Sequence, residues 1–188
     1  MREKGRINEK VTAIITKKGG EKMIISKKNF NVLAVVKDKF GNVKAKIKGA
    51  NIITNDGDLF YAQKGAGEAT TYAFANCVLG SGDVAEGKTD TYDTMTPIGS
   101  TEKAPSANYP KTNDTDENNP DGGVDVVTYK YEWAKADFNA ASIAEGCITI
   151  PTPEAGSKVL TRFKFAAAFP KTADDTLTVF VNHELLGV

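Results

Sequence analysis

The residues able to carry chemistry are few and far apart. A Ser-His-Asp or Cys-His mechanism has one histidine to run through, His183, set between Asn182 and Glu184. Such mechanisms present a nucleophile to that base on a tight turn, as in Gly-x-Ser-x-Gly, and the chain has no such motif. His183 therefore reads as a surface or interface histidine. Cys77 and Cys147 stand alone, with no Cys-x-x-Cys pair. They read as small buried thiols of a reducing compartment, bridged only if their strands face each other. One histidine and two lone cysteines supply too few nitrogen and sulfur ligands for a zinc site. Gly65-Ala66-Gly67 and Gly80-Ser81-Gly82 follow no dinucleotide or Walker pattern and read as turns.

Oxygen ligands come closer to a pattern. Asp114, Asp116, Asn118 and Asp125 fall at positions one, three, five and twelve of a calcium loop. The sixth position calls for glycine and holds Asn119, Pro120 follows, and no helical pattern flanks the loop. A solvated polar loop is the preferred reading, with Ca2+ kept as its rival, and no cofactor is expected.

Charge is the stronger signal. The net charge is zero, but residues 1–50 hold 14 Lys+Arg against 4 Asp+Glu, and the remainder holds 10 against 20. A +10 front on a −10 body reads either as a directional contact with an acidic partner or as a solvated basic hairpin. Arg2, Lys4, Arg6, Lys10, Lys17, Lys18, Lys22, Lys27 and Lys28 are the candidate contact residues. Nucleic acid is the weaker partner, because no aromatics interleave with these cations; Phe30 and Phe40 stand alone. No apolar run approaches the roughly 18 residues of a membrane span, and the start lacks the apolar stretch of a secretory signal.

The elements that must carry these residues are mostly strands. In residues 124–133, Val127, Tyr129, Tyr131 and Trp133 alternate with Val126, Thr128, Lys130 and Glu132, which predicts a strand with one buried face. Residues 159–166 and 176–182 repeat the rhythm, and the three are expected at the centre of one sheet. A hairpin is expected across Lys17-Lys18-Gly19-Gly20 and a second across residues 38–42. In the latter, Val43, Ala45 and Ile47 face one way and Lys44, Lys46 and Lys48 the other. That lysine ladder either blunts an edge strand or meets an acidic surface. Further strands are expected at residues 72–79 and 143–150. Thr54 or Asn55 can cap a brief helix over residues 58–63, ended by Gly65-Ala66-Gly67, although Gly57 weakens it. Residues 83–123 are rich in Thr, Asp, Asn, Pro and Gly and read as a long excursion, with a short strand near residues 92–98 and a role in contacting a neighbouring subunit. A turn is expected at residues 169–175. The sum is a mainly β chain. It is an antiparallel β-sandwich over residues 31–188 with an N-terminal arm and hairpin over residues 1–30, and at most one or two short helices.

Several short motifs follow one another along the chain. Phe40-Gly41-Asn42-Val43 precedes Asn51-Ile52-Ile53-Thr54-Asn55-Asp56-Gly57. Val78-Leu79-Gly80-Ser81-Gly82 follows, then Ile143-Ala144-Glu145-Gly146, then Leu160-Thr161-Arg162-Phe163, and last Lys171-Thr172-Ala173-Asp174-Asp175. In this order the chain resembles a family of tailed-bacteriophage virion proteins, over roughly residues 31–82 and 124–182. The resemblance implies a non-enzymatic, β-rich particle component at the virion's outer surface, made in the host cytoplasm. A capsid decoration or cement protein is the expectation, with the major capsid protein and neighbouring copies of itself as partners, as a dimer or trimer and with no membrane. A tail-fibre or baseplate component is the alternative. A carbohydrate- or receptor-binding sandwich using Tyr92, Tyr109 or Trp133 as a sugar platform is the second, and an enzyme comes last.

Overall fold

The computed structural model describes residues 12–16, 22–26 and 31–185, the first two as strand backbone alone. The expected first hairpin is there: β1 (Thr12–Thr16) pairs antiparallel with β2 (Lys22–Ser26) as a sheet of their own. The body is one eight-stranded sheet. In chain order its strands are β3 (Val32–Lys37), β4 (Val43–Ile53), β5 (Asn76–Gly80), β6 (Lys111–Thr112), β7 (Val126–Trp133), β8 (Ala140–Thr149), β9 (Val159–Lys171) and β10 (Thr176–Glu184). In space they run β5-β8-β9-β4-β3-β10-β7-β6, and every neighbouring pair is antiparallel.

The mainly β, antiparallel expectation holds, with one α-helix among the described residues. In place of the two packed sheets expected of a sandwich, the body has a single curled sheet. Cys77 and Leu79 of β5, at one edge, share an apolar cluster with Tyr129, Tyr131 and Trp133 of β7, next to the other edge. Tyr131 Oη donates to Ala75 O at 2.8 Å across that gap. Strand twist accumulating over eight strands brings the far ends face to face. The alternation in β7 and β10 reads correctly: Tyr129, Tyr131, Trp133, Leu177, Val179 and Val181 all point into this core. β7 is not central, however. It lies one strand from the edge, and β9 and β10 are separated by β4 and β3.

The helix α1 (Asn55–Ala66) is longer than the brief one expected. Thr54 Oγ1 accepts from Gly57 N and its hydroxyl donates to Val159 O, so the cap also ties the helix to β9. Gly67, at φ 72°, closes the helix in the left-handed conformation. Gly57 is there for contact: a Cβ on it would lie 2.2 Å from Leu160 O. Thus the glycine that argues against a helix on propensity lets this one sit on β9.

The excursion departs from expectation. Tyr92–Thr94 is a 3-10 turn, not a strand. Farther on, the chain bonds to both edges of the sheet. Thr96 O accepts from Ser81 N, Ile98 N donates to Leu79 O, and Cys77 and Lys103 exchange two backbone bonds at 2.8 and 2.9 Å. Beyond that, Ser106 N donates to Lys130 O at 2.8 Å, and β6 pairs with β7 through Lys111↔Thr128 and Thr112↔Val127. Trp133 Nε1 donates to Thr101 O at 3.0 Å in between. Residues 96–112 therefore close the seam of the curled sheet. The expected turn at residues 169–175 is shorter as well, since β9 runs on through Phe169 and Pro170 to Lys171.

Candidate functional site

Three polar clusters and one lysine-bearing edge are the candidates. The first is on the sheet's outer face under the start of the excursion. Arg162, from β9, is fully buried. Its Nη2 bonds the Glu145 carboxylate from β8 and donates to Val84 O at 3.1 Å; its Nη1 meets Asp90 Oδ2 at 3.1 Å. Glu145 Oε1 accepts from Gly82 N and Thr96 N, both at 2.8 Å. A Cβ on Gly82 would lie 2.3 Å from that oxygen. The charges are spent on holding residues 82–96 against the sheet, and Met95, Val78, Cys147 and Val159 pack beside them. A buried ion pair of this kind fixes an arrangement more than it adds stability.

The second cluster contains His183, and here the surface reading is corrected. The ring is 1% exposed. β10 aims it into the core, where Tyr61 Oη lies 2.6 Å from Nδ1 and 3.3 Å from Tyr129 Oη. Burial lowers the His183 pKa to about 3 and raises those of both tyrosines. A tyrosine that keeps its proton donates it to Nδ1, which leaves the hydrogen on Nε2. Nε2 has no partner among the described residues. No serine or cysteine is bonded to this histidine among those residues.

The third cluster is the calcium-like loop. Asp114 Oδ1 accepts from Tyr109 Oη at 2.9 Å and pairs with Lys111 at 3.0 Å; its Oδ2 accepts from Asn119 Nδ2 at 2.8 Å. Burial opposes ionisation of Asp114, but these donors hold its pKa below the ordinary carboxylate value. Asp116 pairs with Lys130 at 3.1 Å. Asn119 goes on to bond Asn182, and Asn182 bonds Thr128. Asp125 is exposed. The loop's oxygens thus face lysine and amide donors, and no acidic, histidine and cysteine group among the described residues is arranged to hold a metal ion. Asn119, which fails as a calcium-loop glycine, serves as the pin of the loop.

The remaining expectations resolve individually. Cys77 and Cys147 are on paired strands, one residue out of register, with Cys77 packed in the main core and Cys147 in the outer cluster. Opposite faces keep them apart as free thiols, and burial pushes Cys147 up to about 12 and Cys77 well above its usual value. Trp133 is 1% exposed and offers no face to a sugar. Tyr109 is covered on one side by Lys111 Nζ, 4.7 Å from the ring centre. Arg2, Lys4, Arg6, Lys10, Lys17, Lys18, Lys27 and Lys28 lie outside the described residues, and Lys22 is described only as backbone in β2. The lysine ladder is where the alternation puts it: Lys44, Lys46 and Lys48 are exposed on β4, while Ala45 and Ile47 pack on the core. Sequence reading missed the Arg162–Glu145 pair and the Tyr61–Tyr129–His183 cluster. A buried strand carrying Arg162 amid Leu160, Phe163 and Phe165 was the available signal for the first. Among the described residues no helix is long and apolar enough to cross a membrane. No protein-family model, curated protein or solved structure matches the chain.

Proposed function

We propose that this chain is a non-enzymatic structural protein of a tailed-phage particle that decorates and cements the capsid surface through its basic N-terminal segment. The observation that carries this reading is a basic segment whose strands form a sheet of their own. Residues 1–30 hold 9 Lys+Arg against 3 Asp+Glu, and among the described residues β1–β2 pairs with no strand of the body. A basic hairpin on a separate sheet can lie across acidic joints between capsomers while the curled body stays outside. Repetition over many sites turns a modest contact into an effective staple. The body's own chemistry agrees with a passive part: its histidine is enclosed, and its buried carboxylates bond to arginine, lysine and backbone N–H groups.

The test is binding to purified, undecorated heads by co-sedimentation. Removing residues 1–30 abolishes binding while the body keeps its far-UV signature and cooperative melt. In the full chain, changing Lys17, Lys18, Lys22, Lys27 and Lys28 to glutamate has the same effect. Binding of either variant at full occupancy would refute the mechanism. The number of copies per particle separates a capsid decoration from a tail-fibre or baseplate component.

A further inference from the structure

The lysine ladder lies along a break in the sheet. β4 pairs with β9 only from Gly49↔Phe165 to Ile53↔Thr161. At Gly49 the two backbones are in close contact, since a Cβ there would sit 2.5 Å from Lys164 O. Past that point the strands part. Residues 43–48 keep β3 as their one partner strand, and residues 166–171 keep β8. Ala166, Ala167 and Ala168 are exposed there, and Pro170 has no N–H to give, which suits a side without a partner. The result is an unpaired strand edge opening from the middle of the sheet, whereas the excursion covers both terminal edges.

The neighbouring surface is unusual for an edge left to water. At the hairpin tip Asp38 Oδ1 accepts from the N–H groups of Phe40 and Asn42, at 2.8 and 2.9 Å, and fixes the turn. That turn presents Phe40 at 78% exposure, with Val43 at 48% just beyond. Lys46 and Lys48 extend from the same edge and form ion pairs with no described carboxylate, whereas Lys44 is bound to Asp175 at 2.7 Å. An exposed aromatic anchor, an apolar step, a row of cations and free backbone groups are the elements of strand addition.

The geometry points to the free edge of β4, residues 43–48 with Phe40 at its tip, as the docking site for an extended acidic segment of a partner protein, added as an extra strand. Charge selects this occupant. Two copies pairing edge to edge would set lysine against lysine, as would the chain's own hairpin with Lys17, Lys18, Lys22, Lys27 and Lys28. A strand alternating acidic and apolar residues puts carboxylates opposite Lys46 and Lys48 and its apolar side over Val43, Ala45 and Ile47. This contact is separate from the N-terminal one and uses different residues.

The test uses the full chain with a soluble peptide of alternating glutamate and valine, and a lysine-valine peptide as control, read by amide hydrogen exchange. The acidic peptide slows exchange at residues 43–48 by roughly tenfold, with no slowing in β5 or β7, and the control peptide has no effect. Lys46→Glu with Lys48→Glu removes the protection. Lys46→Gln with Lys48→Gln, which adds no repulsion that could disturb folding, reduces it. Absence of protection with the acidic peptide, or equal protection in the reversed variant, overturns the assignment. Protection that grows with protein concentration alone gives the edge to a second copy and overturns it too.

Discussion

His183 shows how the burial of one side chain makes stability depend on pH. Its folded pKa is about 3 against an ordinary value of 6.5, because burial disfavours the imidazolium. Below pH 6.5 the unfolded chain takes up a proton that the folded chain refuses, so stability is complete above that pH and falls as the pH drops toward 3. Each pH unit in that window costs about 1.4 kcal/mol at most, and the span from pH 7 to pH 5 costs about 2 kcal/mol. Urea unfolding at those two pH values checks this: the wild type loses stability on acidification and a His183→Asn variant loses far less. Equal losses would mean that the imidazole is already charged or solvated in the fold. Nothing near His183 in sequence announces this. Asn182-His183-Glu184 reads as a polar strand end, and the residue that encloses the ring, Tyr61, comes from a helix more than a hundred positions earlier. The Arg162–Glu145 pair is hidden in the same way, since each partner reads as an ordinary outward residue until the excursion covers both.

At the scale of elements, what was legible followed from periodicity, and what was missed followed from contact. The two hairpins, the inward faces of β7 and β10 and the cap at Thr54 could be read locally, because alternation and capping are local properties. The length of β9 could not. Pro170 reads as a terminator, yet it is tolerated because that stretch of β9 lacks a partner on one side. α1 separates the two kinds of information within a single helix. Its Gly57 abuts the backbone of Leu160, while a Cβ on Gly65 would meet nothing within 4 Å. Propensity favours alanine over glycine in a helix by about 1 kcal/mol. Gly65→Ala should therefore raise the melting temperature by a few degrees. Gly57→Ala should lower it, since the helix must lift off β9 to admit the methyl group. Calorimetry of the two variants decides it, and a stabilising Gly57→Ala would show that α1 is not seated on β9 as described.

Over the whole molecule, the excursion decides whether the sheet acts as an open ribbon or a closed body. A curled sheet with two free edges would expose unpaired backbone groups along β5 and β7, the usual template for unwanted pairing. Residues 96–103 satisfy the first edge and residues 106–112 the second, with Thr101 O tied to the buried Trp133 indole between them. Thr101 is itself fully buried and its hydroxyl oxygen accepts from Leu79 N at 3.1 Å. Loops that merely drape over a surface open by local fluctuation, well before the core does. A loop that closes the seam has no such freedom, because releasing it frees both edges and unseats Trp133. The amides of Cys77, Lys103 and Ser106, which make the seam's cross-links, should exchange with solvent as slowly as that of Val179 in the core. The amide of Thr115, in the exposed loop beyond, should exchange much faster. Native-state hydrogen exchange in low denaturant makes the comparison directly. If Lys103 and Ser106 open a hundredfold or more faster than Val179, roughly 2.7 kcal/mol below the core, the excursion is a surface loop, and the closure of the sheet depends on Tyr131 and the apolar core alone.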